Sequence, residues 1–145
     1  MDQLTDEEKI ELARFIMRLL GSWEIPPEGQ IRLLGLPEKT RTRHLSQYRK
    51  ETPFPEEKHI YERVMHFMGI ADALRTSYPH NASMGPIWMN QVHRRFNGRT
   101  PVQAMLEDDL HGIIAVRSHL DCAFDWETDE KRAKVVLSSM VSKKS

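Results

Sequence analysis

The stretch Leu33-Leu34-Gly35-Leu36-Pro37-Glu38-Lys39-Thr40-Arg41-Thr42-Arg43 decides the reading of this chain. Two leucines end an apolar helical pattern, a glycine stops it, and a proline two residues later stands where a new helix opens. Glycine supplies a left-handed cap, and proline at a first helical position gives up an amide that would be unpaired anyway. Working back, Pro26-Pro27-Glu28 opens the first helix, which carries Ile31, Leu33 and Leu34. Working forward, the spacing predicts a second helix from Leu36-Pro37-Glu38 to about Lys50, where Thr52-Pro53-Phe54-Pro55 breaks it. Two short helices joined by a tight turn suit a helix-turn-helix. With Leu45 and Tyr48 facing inward, Lys39, Thr40, Arg43, His44, Gln47 and Lys50 share the outer face of the second helix. Arg and Gln there make bidentate contacts to base edges, and Lys and Thr bind phosphate oxygens. These six are the candidate DNA-binding residues.

Charge supports that choice. Lys plus Arg equals Asp plus Glu, 21 each, so the chain as a whole carries no excess of either sign. The excess is local. Residues 31–50 hold Arg32, Lys39, Arg41, Arg43, Arg49 and Lys50 against Glu38 alone, a balance of +5, whereas residues 1–30 balance at −4. One block of positive charge beside a helical turn is what a polyanion would meet. The bland reading is a solvated basic helix neutralised by an acidic helix within residues 1–30.

Helical punctuation continues on both sides. Thr5-Asp6-Glu7-Glu8 is a capping box, followed by Leu12, Phe15, Ile16, Leu19 and Trp23 at helical spacing, with Gly21 as the stop. Ile60, Val64, Phe67, Ala71 and Leu74 stripe a long helix that ends at Tyr78-Pro79. A further helix is expected through Ile87, Trp88, Val92 and Phe96, stopped by Asn97-Gly98. Thr100-Pro101-Val102-Gln103 is a second capping box, and Ile113, Val116, Leu120 and Phe124 stripe the helix after it. Residues 127–141 add an amphipathic pattern. No alternating run long enough for a sheet occurs, so the fold class is all-α. The expected division is a helix-turn-helix lobe over residues 1–54 and a second helical domain over 55–145, with a long helix joining them.

The same sequence argues against several chemistries. Hydrophobic residues at 39% and charged ones at 29% are a globular mixture. A single cysteine, Cys122, leaves no intramolecular disulfide and no paired-cysteine zinc site. Of seven histidines, His59 and His66 lie roughly 10 Å apart along a helix, too far to share an ion. His119-x-x-Cys122 is the one weak cluster of ligand types. No phosphate cradle, nucleophile elbow or carboxylate pair stands out. The expectation is a protein without enzymatic activity, metal or cofactor. The acidic start and the lack of a transmembrane-length apolar run point to a cytoplasmic chain with no membrane partner.

That stretch and several later ones carry a resemblance. Leu33 to Leu36 followed by Lys39 to Arg43 resembles the Xre-type helix-turn-helix of the Xre/MbcA/ParS-like antitoxins. Glu62-Arg63-Val64 through Gly69 to Leu74 is similar to the linking helix of that family. Trp88-Met89-Asn90, Phe96-Asn97-Gly98-Arg99-Thr100-Pro101 and Val116 to Asp121 resemble its toxin-binding domain. One position departs: where the family carries a glycine before Leu110, this chain has Asp109. The resemblance implies a type II antitoxin, generally dimeric, that neutralises a RES-domain (NAD-depleting) toxin and represses its own operon. Arg99 and Arg117, within or beside those segments, are the candidate toxin contacts. Arg132 and Lys134 of the tail 127–141, beyond the resemblance, are further candidates for blocking a partner's cleft, the alternative being that this helix packs on its own domain or on a second copy. The alternatives are an orphan DNA-binding regulator and a toxin-binding module whose helix-turn-helix is only scaffold. The glycine, threonine and proline of residues 98–101 have capping reasons of their own, and Trp88 and Phe96 are expected in the core.

Overall fold

The structure is a computed structural model that describes residues 4–121. The described residues are all-α: their regular structure is helical, and the only β-pairing among them is an isolated bridge between His93 and Arg99.

Helix α1 (Asp6–Ser22) begins as its sequence dictates. Thr5 Oγ1 accepts the Glu8 amide at 3.1 Å, and Glu8 Oε1 accepts the Thr5 amide at 2.9 Å. Ala13, Ile16, Met17 and Leu20, spaced three and four apart, form the buried face. Gly21 does not stop the helix. It sits inside the last turn, and the chain reverses at Glu24, whose φ is 62°.

Helix α2 (Pro27–Leu34) ends at Gly35, φ 78°. The Gly35 amide donates to Arg32 O and the Leu36 amide to Ile31 O, both at 3.1 Å, which is the paired closure that left-handed glycine permits.

The predicted helix from Pro37 to Lys50 is not there. Residues 37–40 form a turn, and Arg41 is extended. A 3₁₀ turn over Thr42–His44 then runs into the short helix α3 (Leu45–Tyr48). Between Leu36 and Leu45 the chain has no apolar side chain to anchor a helix face, and Thr40 and Thr42 add β-branched reluctance. Leu45 is the first residue after Leu36 to be buried, and the helix forms there.

Helix α4 (Lys58–Ser77) packs against α1, α2 and α5, burying Ile60, Val64, Phe67, Ile70 and Leu74. The Phe67 ring meets Trp23 edge-on at 6.2 Å.

The next predicted helix is also broken. Helix α5 (Met84–Met89) stops at Asn90, and a 3₁₀ turn (Arg94–Phe96) follows. Asn90 Nδ2 donates to Trp23 O at 2.9 Å, and the His93 amide donates to Arg99 O at 3.0 Å, which draws the chain out of helical register. Val92 is 64% exposed, so the apolar period through it did not mark a buried face. Asn97 and Gly98 are both left-handed, at φ 58° and 77°. Thr100 and Gln103 then close the second capping box, and Pro101 opens helix α6 (Pro101–Asp108). After Asp109 the chain is helical again over 110–121, called α7.

One cluster of buried side chains joins these helices, from Ala13 and Trp23 through Phe67 to Val116 and Leu120. Phe54, within the Thr52–Pro55 link, is 2% exposed and belongs to that cluster. Helices α2 and α6 touch, and Arg32 Nη2 donates to Leu106 O at 2.7 Å. Trp88 packs against the core and Phe96 lies within it, as expected.

Candidate functional site

The basic segment is held at both ends and open along its length. At its start, the Gly35 turn is gripped from α4: a ring nitrogen of His59 lies 2.9 Å from Gly35 O, and Arg63 Nη1 donates to Leu33 O at 3.2 Å. At its end, Leu45 is fully buried and Tyr48 stacks at an angle on Phe54 with centroids 5.0 Å apart. Ser46 Oγ donates to Arg43 O at 3.0 Å, and the Thr52 amide donates to Gln47 O at 3.2 Å. Arg14 of α1 crosses to the segment and donates its Nε–H to Lys50 O.

Between those anchors Lys39, Arg41, Arg43, Gln47, Arg49 and Lys50 are exposed, while Thr40 and His44 are half-buried. None of the five cations takes part in an ion pair among the described residues. Neutralisation by the acidic α1 therefore does not occur at contact distance. Glu8 is engaged in its own cap, and the one charge pair from the start of α1 runs from Lys9 to Glu56.

The six candidate DNA-binding residues do not share one helix face. Only Arg43, His44 and Gln47 lie on the helical stretch 42–48. Lys39 and Thr40 belong to the preceding turn, and Lys50 follows the helix. Arg43 and Gln47, four apart, are both exposed. The reason is the one that broke the predicted helix: no apolar residue anchors positions 37–44. What the segment can do chemically is offer five exposed cations and a Gln amide to an acidic surface. Arg14, which the spacing did not single out, fixes the carbonyl at its end; nothing in the pattern of α1 marks it as different from its neighbours.

Farther along, the two described candidates for toxin contact have partners of their own. Arg99 donates to Phe96 O at 2.9 Å, to Glu107 Oε1 at 3.0 Å and to Asp108 Oδ2 at 2.9 Å. Those hydrogen bonds hold the Asp108 carboxyl below its ordinary range. Arg117 lies across Gly69, where a Cβ would overlap its guanidinium. Its Nη1 donates to His66 Nδ1 at 3.2 Å, and its Nε is 3.6 Å from Asp121 Oδ2. Burial first, then the Arg117 charge, lowers the His66 pKa. Arg132 and Lys134 lie outside the described residues, as does the amphipathic segment 127–141.

Asp109 takes φ 55°, ψ −129°, a conformation that favours glycine, so the departure from the family pattern falls on a turn that still bends as glycine would. Its carboxylate accepts both arms of Arg63, at 2.8 and 3.2 Å. That fork, with help from the Leu110 amide and Arg32, holds the Asp109 carboxyl below its usual range.

Two more features escaped the sequence. An apolar groove of about 330 Å³ opens between α1, the end of α4 and α5, lined by Phe15, Leu19, Trp23, Leu74, Tyr78 and Pro86. Phe15, counted on the core stripe, is 36% exposed there. Trp88, His93, Phe96 and His119 form an aromatic cluster between α5 and α7. Among the described residues no group of three or more His, Cys, Asp or Glu could hold a metal ion, and Cys122 lies outside them. Among the same residues no helix is long and apolar enough to cross a membrane.

Comparison of the chain with protein-family models, characterised proteins and solved structures finds no match.

Proposed function

We propose that this chain is the antitoxin of a type II toxin–antitoxin pair: it binds DNA at its own promoter through residues 39–50 and neutralises a RES-domain, NAD-depleting toxin through residues 55–145. One observation carries the DNA half. Five cations of one short segment are exposed, and none is paired with a carboxylate among the described residues. Exposed cations without protein partners keep their full attraction for phosphate, and displacing counterions from DNA makes such binding fall steeply with salt. The sequence resemblance supports the toxin half, through Trp88 to Asn90, Phe96 to Pro101 and Val116 to Asp121. NAD is then the substrate of the toxin and no ligand of this chain. The working form is a homodimer in the cytoplasm.

The basic segment acts mainly through phosphates. Arg43 and Gln47 are the exposed candidates on the helical stretch, so base readout falls to those two, and Lys39, Arg41, Arg49 and Lys50 position the protein on the backbone. Titration of promoter DNA against a random duplex of equal length, at several salt concentrations, tests this. Tighter binding to the promoter and a steep salt slope are expected. Equal, weak binding to both at low salt would remove the repressor half and leave a toxin-binding module.

A further inference from the structure

The basic segment and the α6–α7 turn are held by the same guanidinium. Arg63 sits on α4 with its side chain 13% exposed. One nitrogen, Nη1, donates to Leu33 O in the last turn of α2 and to Asp109 Oδ1; the other, Nη2, donates to Asp109 Oδ2. Leu33 O is one of the carbonyls a helix end leaves without an intrahelical partner. Two residues later comes Gly35, where a Cβ would stand 3.1 Å from Arg63 Cδ and Nε, so the arginine lies directly across the turn that launches the basic segment.

At the other end of the fork, Asp109 occupies a positive φ that costs a non-glycine residue free energy. A bidentate, charge-assisted pair is the kind of contact that holds such a residue in place. The α6–α7 turn is also tightly closed: a Cβ on Gly112 would fall 2.8 Å from Met105 Cα. Lowering the pH through the depressed Asp109 pKa would weaken the fork from the same end.

We propose that Arg63 is a latch, through which the Asp109 turn sets the order of the Gly35 turn and of the basic segment that follows it. The two halves of the fork are unequally accessible. Arg63 is sheltered, whereas the Asp109 side chain is 48% exposed. A cation that took the Asp109 carboxylate from Arg63 would therefore open the latch. Binding at the C-terminal half then loosens residues 35–50 without touching them, and by reciprocity an ordered basic segment strengthens the α6–α7 turn. This adds regulation to the function proposed above, but the coupling exists with neither DNA nor toxin present.

Residue-resolved hydrogen exchange on the full chain tests it, comparing wild type with Asp109→Asn and Asp109→Gly at one pH. Asp109→Asn keeps the strained φ and loses the charge; Asp109→Gly loses the charge and relieves the strain, so its α6–α7 turn stays closed. In Asp109→Gly the Gly35 and Leu36 amides, which close α2, should exchange roughly tenfold faster while those of α1 stay unchanged. Asp109→Asn should show the same, plus faster exchange at Asp109 and Ile113. Unchanged exchange at Gly35 and Leu36 in Asp109→Gly overturns the latch, whether or not Asp109→Asn folds and whether or not the chain binds DNA.

Discussion

The imidazole of His119 lies nearly parallel to the indole of Trp88, with centroids 5.9 Å apart and planes 12° from coincidence. Its Nδ1 is buried and has no hydrogen-bond partner among the described residues. Burial, then the charges of Arg95 and His93, lower the His119 pKa. A histidine held neutral in the folded state adds no penalty at pH 7.5, where the unfolded chain is neutral too. Below about 6.5 the unfolded chain takes up the proton first, so stability falls with pH from there down to the folded pKa. His66 adds to the same slope. We expect a lower melting temperature at pH 5.5 than at pH 7.5, and a smaller difference in His119→Phe, which keeps the aromatic contact. An equal difference in that variant would place the titration elsewhere.

The second capping box is a local stability element. Thr100 Oγ1 accepts the Gln103 amide at 3.0 Å, and Gln103 Oε1 accepts the Thr100 amide at 2.9 Å. Thr100→Ala should cost about 1 kcal/mol in urea unfolding with little change in slope. A neutral result would mean that Pro101 alone sets the start of α6.

Two glycines should respond in opposite directions. A Cβ at Gly112 would collide with the α6 backbone at Ala104 and Met105, so Gly112→Ala should destabilise by about 1–3 kcal/mol. Gly21 lies inside α1, and among the described residues no neighbour outside the helix backbone stands within 4 Å of its Cβ position, so Gly21→Ala should stabilise by about 0.5–1 kcal/mol. Thermal unfolding of the two variants reads both signs.

Much of the fold was legible because caps are local chemistry. Thr5, Pro27, Gly35, Thr100 and Pro101 act on atoms within a few residues, and each stands where its type demanded. The two predicted helices that broke did so for reasons at longer range. Residues 37–44 lack an apolar anchor, and α5 ends where Asn90 reaches Trp23 O, a contact no periodicity encodes. The candidate site was legible as charge and not as shape: the cations are exposed, but Lys39, Thr40 and Lys50 lie off the helix meant to carry them. Arg14, the apolar groove and the Arg63 fork depend on tertiary approach and left no trace in spacing.

On the proposed DNA-binding role, Arg43→Ala with Gln47→Ala should weaken promoter binding by about 1–3 kcal/mol per base edge no longer read, and reduce its preference over random duplex. Lys39→Ala should instead lower the salt dependence by roughly 0.9 of a log unit of slope while leaving sequence preference intact. If the double variant and Lys39→Ala behave alike, Arg43 and Gln47 contact phosphate and read no bases.

Neutralisation of the toxin can be read from cellular NAD. If the reading frame beside this gene encodes a RES-domain protein, that protein expressed alone should empty the NAD pool and stop growth. Co-expression of the full chain should hold NAD at the level of cells without toxin, and the two proteins should co-purify. NAD falling as far with the folded chain present as without it would contradict the antitoxin reading.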